Sequence, residues 1–101
     1  MKILLKKVIV NLRNKPLKLE DQDLTLGIVL SEIVLAPHKD KNGFRPLKAW
    51  ELAKKFFSDE EVDLDKSDFI QLKEIVESSQ SYNPLVIAQA LESLEAVKED
   101  K

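Results

Sequence analysis

The sequence predicts an α+β domain in which an N-terminal two-stranded β-ribbon packs on about four α-helices. Three observations support this prediction. The N-terminal segment is partly alternating and rich in β-branched residues, a long apolar run extends from Leu24 to Ala36, and three later segments repeat apolar residues at helical spacing. We expect a single domain over residues 1–101, with the ribbon at about 2–20 and helices at about 25–36, 46–57, 66–78 and 84–97.

The composition is that of an ordinary globular protein. The 101 residues are enough for one core, and a content of 44% apolar and 34% charged residues argues against a disordered chain. The absence of cysteine excludes disulfides and thiol catalysis. No apolar run approaches the roughly 20 residues that span a membrane, and the apolar part of the N-terminus is too short for a signal peptide. We therefore expect a cytoplasmic protein.

Charge is distributed unevenly along the chain. Residues 1–50 contain ten Lys and Arg against five Asp and Glu, a net charge of +5, whereas residues 51–101 contain six against thirteen, a net charge of −7. Such asymmetry is able to orient a partner or a second copy of the chain, and it also arises from ordinary solvated faces.

The ribbon is predicted from residues 2–12 and a short return strand at 17–20. Lys6 and Lys7 near the middle suit an edge strand that is protected by charge. The segment 13–16 predicts a turn, because Asn14 tolerates the left-handed region and Pro16 restricts the residue before it. Since an isolated ribbon is only marginally stable, we expect it to lie on helices.

The apolar run at 24–36 predicts a central helix with Thr25 as its N-cap and Pro37 just beyond its end. A buried strand is the alternative, but the length of about twelve residues favours a helix. Gly27 weakens the helix by about 1 kcal/mol relative to alanine unless it provides close packing. Ile28 and Leu35 form a second apolar seam, so we expect burial from two directions. The main apolar arc comprises Leu26, Val29, Leu30, Ile33, Val34 and Ala36.

The remaining helices are predicted from their start signals and apolar stripes. Pro46 fits the first turn of the second helix, and Asp65 and Asn83 are the predicted N-caps of the third and fourth. Residues 58–64 are interpreted as an acidic connector. In the second helix we expect one core-facing stripe that includes the only tryptophan: Ala49, Trp50, Leu52, Ala53, Phe56 and Phe57.

No residue pattern predicts catalysis. His38 is the only histidine and there is no cysteine, so a transition-metal site is not expected, and no nucleophile stands beside a histidine at triad spacing. Residues 63–74 place acidic or hydroxyl ligands as an EF-hand calcium loop does, but Asp68 stands where the loop needs glycine, and helix capping explains the same residues. We expect no enzymatic activity, no cofactor and no bound metal.

Two surfaces are candidates for partner binding. The first is the second seam of the central helix, Ile28 with Leu35. The second is the basic loop at 38–48, where cations and Phe44 are of the kind that contact phosphates and bases. Asp40 interrupts this loop and no recognised nucleic-acid motif is present. The candidate residues are Ile28, Leu35, Lys39, Lys41, Arg45 and Lys48.

Four segments carry a resemblance to a known group of proteins: 10–17, 24–30, 62–68 with Ile70, and 83–91. In this order they resemble a group of small uncharacterised proteins of tailed bacteriophages and prophages. The chain departs from that group at Arg13-Asn14, where the group has a glycine in the second position. The resemblance implies a small phage accessory protein in the host cytoplasm, and it implies no catalytic residues.

The functional prediction is a non-enzymatic interaction protein that binds a protein partner or itself, such as a virion or tail assembly factor or a chaperone-like protein. The alternative is a regulatory phage protein that binds nucleic acid or the host transcription machinery through the basic loop at 38–48.

Overall fold

The computed structural model describes residues 1–36 and 43–97. In chain order its elements are β1 (Lys2–Leu4), β2 (Lys18–Leu19), β3 (Gln22–Asp23), α1 (Leu26–Leu35), α2 (Pro46–Ser58), β4 (Glu61–Asp63), α3 (Lys66–Ser78) and α4 (Pro84–Glu95). The predicted α+β class, with four helices and an N-terminal two-stranded antiparallel sheet, is confirmed. The helix bounds differ from those predicted by at most two residues. None of the helices in the described ranges has the length and apolar character that crossing a membrane requires.

Helix α1 is the centre of the fold, and it packs against α2, α3 and α4. Its first turn is held by the N-terminal segment, because the Leu26 N–H donates to the Lys7 carbonyl (2.8 Å) and the Gly27 N–H to the Leu5 carbonyl (2.9 Å). The predicted N-cap is confirmed, since the Thr25 hydroxyl accepts a hydrogen bond from the Ile28 N–H. These bonds satisfy backbone donors that the start of a helix leaves without partners. The central position of the apolar run is therefore confirmed.

The two seams of α1 have different surroundings. The main arc is buried as predicted except for the partly buried Ala36, with Val29, Leu30 and Ile33 completely covered. The second seam is covered only at its start: Ile28 is buried, whereas Leu35 is 48% exposed. Neighbouring elements therefore already cover Ile28, as burial from two directions predicts, and partner binding through this seam stays a prediction for the exposed Leu35.

The partner of the first strand differs from the one predicted. Strand β1 pairs antiparallel with β4, with Ile3 opposite Val62, and not with the return strand expected at 17–20. The N-terminal ammonium group also donates to the Asp63 carboxylate at 2.8 Å. The interpretation of residues 58–64 as a plain connector is also wrong, because they contain strand β4. Val62 is buried between exposed Glu61 and Asp63, and this alternation is that of a strand with one covered face.

The predicted turn at 13–16 is present, and it closes a hairpin that is shorter than the predicted ribbon. Asn14 adopts the left-handed region (φ 65°), and the Leu17 N–H donates to the Ile9 carbonyl at 2.9 Å. A second pairing, β2 with β3, follows directly. The side-chain amide of Gln89 on α4 then bonds both backbone groups of Val10, at 2.9 Å to its N–H and 2.6 Å to its carbonyl oxygen. The N-terminal segment is thereby attached to α4 as well as to α1.

The start signals of the later helices are confirmed. Asp65 caps α3 by accepting from the Asp68 N–H at 2.7 Å, and Asn83 caps α4 by accepting from the Val86 N–H at 3.2 Å. Pro46 and Pro84 occupy the first turns of α2 and α4. A proline there loses no hydrogen bond, because the first N–H groups of a helix have no partner within it.

Candidate protein-interaction surface

Helix α2 has apolar residues on two different sides, although the sequence predicted one stripe. The side toward the core consists of Ala49, Leu52, Ala53 and Phe56, all buried. Trp50 and Phe57 were predicted to share this side, but they are 52% and 63% exposed. The prediction that Trp50 belongs to the core is therefore wrong.

The exposed apolar residues of α2 line up along the helix. Leu47 is 71% exposed, and positions 47, 50, 54 and 57 are separated by three, four and three residues. Residues with this spacing share one face of a helix. We call Leu47, Trp50, Lys54 and Phe57 the α2 stripe.

Charged groups complete the stripe and one of its borders. The Lys54 ammonium lies 5.5 Å from the centre of the Trp50 ring, a distance typical of a cation–π contact. Glu51 and Lys55, both exposed, follow the border that faces away from the core. The stripe thus combines large apolar side chains with a charged edge, as the centre and rim of a protein interface do.

The size of the stripe distinguishes it from scattered surface leucines. Aromatic side chains bury about 150–250 Å² each when covered, so the exposed parts of Leu47, Trp50 and Phe57 amount to roughly 300 Å² of apolar area by the same measure. A contiguous patch of about this size is among the largest on ordinary monomers and is often functional. Other exposed apolar residues, such as Leu4 and Leu12, lie on different elements.

The predicted partner-binding residues are not brought together as one site. Arg45 and Lys48 are exposed at the start of α2, whereas Lys39 and Lys41, with His38, lie outside the described residues. Lys48 forms an ion pair of 2.6 Å with Asp68 on α3 and lies 5.7 Å from the Phe44 ring. The charge of Lys48 is therefore partly neutralised within the chain. Leu35 keeps half of its surface exposed at the end of α1.

The calcium-loop geometry weighed for residues 63–74 is not formed. Asp63 lies in β4 and bonds the N-terminal ammonium group, and α3 already begins at Lys66. An EF-hand loop needs its ligands to converge from an extended, turning backbone, which a regular helix cannot provide. Within 1–36 and 43–97, no three His, Asp or Glu side chains are grouped so that they would hold a metal ion.

A groove of about 780 Å³ lies between β1, β4 and the end of α4. Its lining is mostly apolar and includes Leu4 and Val97, together with the charged residues Lys6, Lys7 and Glu60. Lys2 lies 3.8 Å from Glu61. Because residues of both charges line this groove, it presents no single charge to a ligand, and the α2 stripe is the better defined surface.

Among residues 1–36 and 43–97, Tyr82 has the most strongly shifted pKa. It lies in the connection between α3 and α4, and its hydroxyl donates a hydrogen bond to the Glu32 carboxylate on α1. Burial, and then this bond and the charge of Glu32, raise the pKa of Tyr82 above its usual range. The contact joins the α3–α4 connection to the central helix.

The raised pKa predicts a loss of stability at alkaline pH. Tyrosine in the unfolded chain ionises near pH ~10, while the folded protein keeps Tyr82 protonated at that pH. The stabilisation is therefore complete below about pH 10 and decreases as the pH rises further. Because Tyr82 is the only tyrosine, absorbance of the tyrosinate ion measures its titration directly.

Glu32→Gln is the matched variant for this titration, since it keeps an acceptor and removes the charge. We expect the midpoint to move down toward that of free tyrosine. A midpoint that is the same in the folded wild type, in the variant and in the unfolded chain would contradict the Tyr82–Glu32 contact.

Comparisons of the chain with protein-family models, with curated proteins and with solved structures find no match.

Proposed function

We propose that this chain is a non-enzymatic protein-interaction module that binds its partner through the α2 stripe. The observation that supports this most directly is the exposure of Leu47, Trp50 and Phe57 along one face of a helix that has another face fixed in the core. An amphipathic helix that is anchored on one side presents a preformed surface, so binding requires little ordering of the backbone.

Trp50 and Phe57 also have the chemistry of binding hot spots. Aromatic residues are enriched at the centres of interfaces, where they bury a large area at a small cost in side-chain entropy. The Lys54 ammonium lies over the Trp50 ring, and its charge keeps this part of the stripe in contact with water when no partner is bound.

The setting is part of the proposal. The resemblance described above implies a phage-encoded accessory protein, such as a virion or tail assembly factor or a chaperone-like protein, that acts in the host cytoplasm. A small module with an anchored apolar stripe suits such a role, because assembly proteins act through surfaces that are covered in the complex.

Site-specific photocrosslinking tests the proposal. A photoreactive phenylalanine analogue at position 47 should form protein adducts in an extract of the cells that make the protein. The matched control is the same analogue at position 12, because Leu12 is also an exposed leucine (95%) but does not belong to α2. Mass spectrometry of the adducts identifies the partner.

A second substitution links the adducts to the stripe. Phe57→Ser should reduce the adduct yield at position 47 several-fold, since a residue on the same face would lose a large apolar contact, and Leu12→Ser should leave the yield unchanged. Equal adducts at positions 47 and 12, or none at 47, would contradict the proposal. A virion protein among the adducts supports the assembly role, and a transcription protein would support a regulatory role instead.

A further inference from the structure

We infer that the partner of the α2 stripe is a second copy of the same stripe, with the two α2 helices antiparallel across a two-fold axis. This inference rests on the proposed function, because it names the partner of that surface. It is carried by the spacing of the stripe, by the charges along its border and by its area.

The spacing suits a helix pair. Separations of three, four and three residues are those of the contact seam between two packed helices. When two copies run antiparallel about the middle of the stripe, Leu47 of one chain faces Phe57 of the other. Trp50 likewise faces Lys54 of the second copy, so each lysine lies between two tryptophan rings. An isologous pair of this kind closes on itself and forms a dimer, not a fibre.

The charged border distinguishes this arrangement from a parallel one. In the antiparallel pair Glu51 of each chain lies beside Lys54 and Lys55 of the second copy, which gives two symmetric sets of opposite charges. In a parallel pair Lys54 would face Lys54 across the seam, and Glu51 would face the other border of the second copy, away from its Lys55. Like charges across an interface are unfavourable, so the sequence of α2 favours self-pairing in the antiparallel sense.

The area indicates a reversible dimer. Two facing stripes cover on the order of 600 Å² of apolar surface before the charged border is counted, whereas standard specific interfaces bury about 1,200–2,000 Å² in total. We therefore expect a dissociation constant roughly in the micromolar range. Such a dimer exchanges readily, so the stripe remains accessible.

Sedimentation equilibrium of the purified chain, from about 1 μM to about 1 mM, brackets this affinity. The wild type should change from monomer to dimer over that range. The emission of Trp50, the only tryptophan, should shift to shorter wavelength over the same concentrations as its ring becomes covered. A wild type that stays monomeric up to about 1 mM would overturn the inference.

Charge exchange tests the geometry. Glu51→Lys alone, and Lys54→Glu with Lys55→Glu alone, should each weaken dimerisation about tenfold or more, because like charges then face one another. An equimolar mixture of the two variants should dimerise again, since opposite charges face one another in the mixed pair. Glu92→Lys, the same change at an exposed position of α4, is the control and should have no effect.

The outcomes separate this inference from the proposed function. If Glu51→Lys leaves dimerisation unchanged, the antiparallel α2 pair is overturned. The same conclusion follows if the mixture of the two charge variants does not dimerise. If the chain is a monomer but position 47 still crosslinks a different protein in the extract, the self-pairing is wrong and the proposed function stands. If the chain is a monomer and position 47 forms no adducts, both are wrong.

Discussion

Phe56→Ala is expected to lower the free energy of unfolding by about 3–5 kcal/mol, the usual cost of removing a fully buried phenylalanine. The same substitution one residue later, Phe57→Ala, should change it by no more than about 0.5 kcal/mol. Phe56 is 1% exposed within the core and Phe57 is 63% exposed on the α2 stripe. The two variants have the same chemistry and the same helix, so their difference measures which side of α2 faces the core.

Urea denaturation of the wild type and both variants measures this difference, with the slope of the unfolding free energy against urea serving as a check on two-state behaviour. Protein concentration is kept well below the dimerisation range so that self-association does not contribute. The effects should reverse for dimerisation, which Phe57→Ala weakens. Similar stability losses for both variants would contradict the orientation of α2.

The orientation of α2 was not predictable from its own sequence. Apolar residues occupy so much of its surface that the pattern admits more than one core-facing side. The size of Trp50 favours a core position, so the sequence predicts it on the buried side. The side that faces the core is set by the neighbouring helix. Ala49, Ala53 and Phe56 are buried on the side of α2 that faces the core, α2 packs on α1, and Trp50 lies on the exposed side.

Local chemistry, in contrast, was predictable. The sequence predicts Thr25, Asp65 and Asn83 as N-caps because a side-chain oxygen beside the first turn of a helix satisfies backbone N–H groups within three residues, and all three caps are present. Asn14 was identified as a turn residue by its tolerance of positive φ. Such assignments depend only on groups a few residues apart, so the rest of the fold does not override them.

Long-range pairing was the part that the sequence left open. Strand β1 pairs with β4, about sixty residues later, and no turn between them signals this pairing. The alternation of Val62 and Leu64 with acidic residues indicates a strand, but the high charge of the segment is equally typical of a solvated connector. The bonds of Gln89 to Val10 are similar, because a partly buried glutamine in a helix does not show which backbone it contacts.

The charge asymmetry of the two halves receives a partial explanation from the structure. Basic residues of the first half form ion pairs with acidic residues of the second, as Lys48 does with Asp68 and Lys2 with Glu61. Such exposed pairs contribute at most about 1 kcal/mol each, so they orient the elements more than they stabilise them.

Gly27→Ala is expected to destabilise the protein by about 2–3 kcal/mol, the cost of forcing an extra methyl group into a packed contact. This is opposite in sign to the gain of about 1 kcal/mol that alanine brings to an ordinary helix position. A Cβ atom at residue 27 would lie 2.2 Å from the Phe56 carbonyl oxygen and 3.2 Å from the Leu5 Cβ. Because the carbonyl belongs to the backbone of α2, it cannot rotate away, and α1 and α2 would have to separate.

Ala88→Gly, at an exposed position of α4, measures the intrinsic difference between the two residues and should cost about 1 kcal/mol. Thermal and urea unfolding of both variants compare them under the same conditions. Alanine should thus be the better residue at position 88 and the worse one at position 27, although both lie in helices. If Gly27→Ala is as stable as the wild type or more stable, then α1 and α2 do not approach closely at this point. The anchoring of α2 that exposes its stripe would then lose its structural basis.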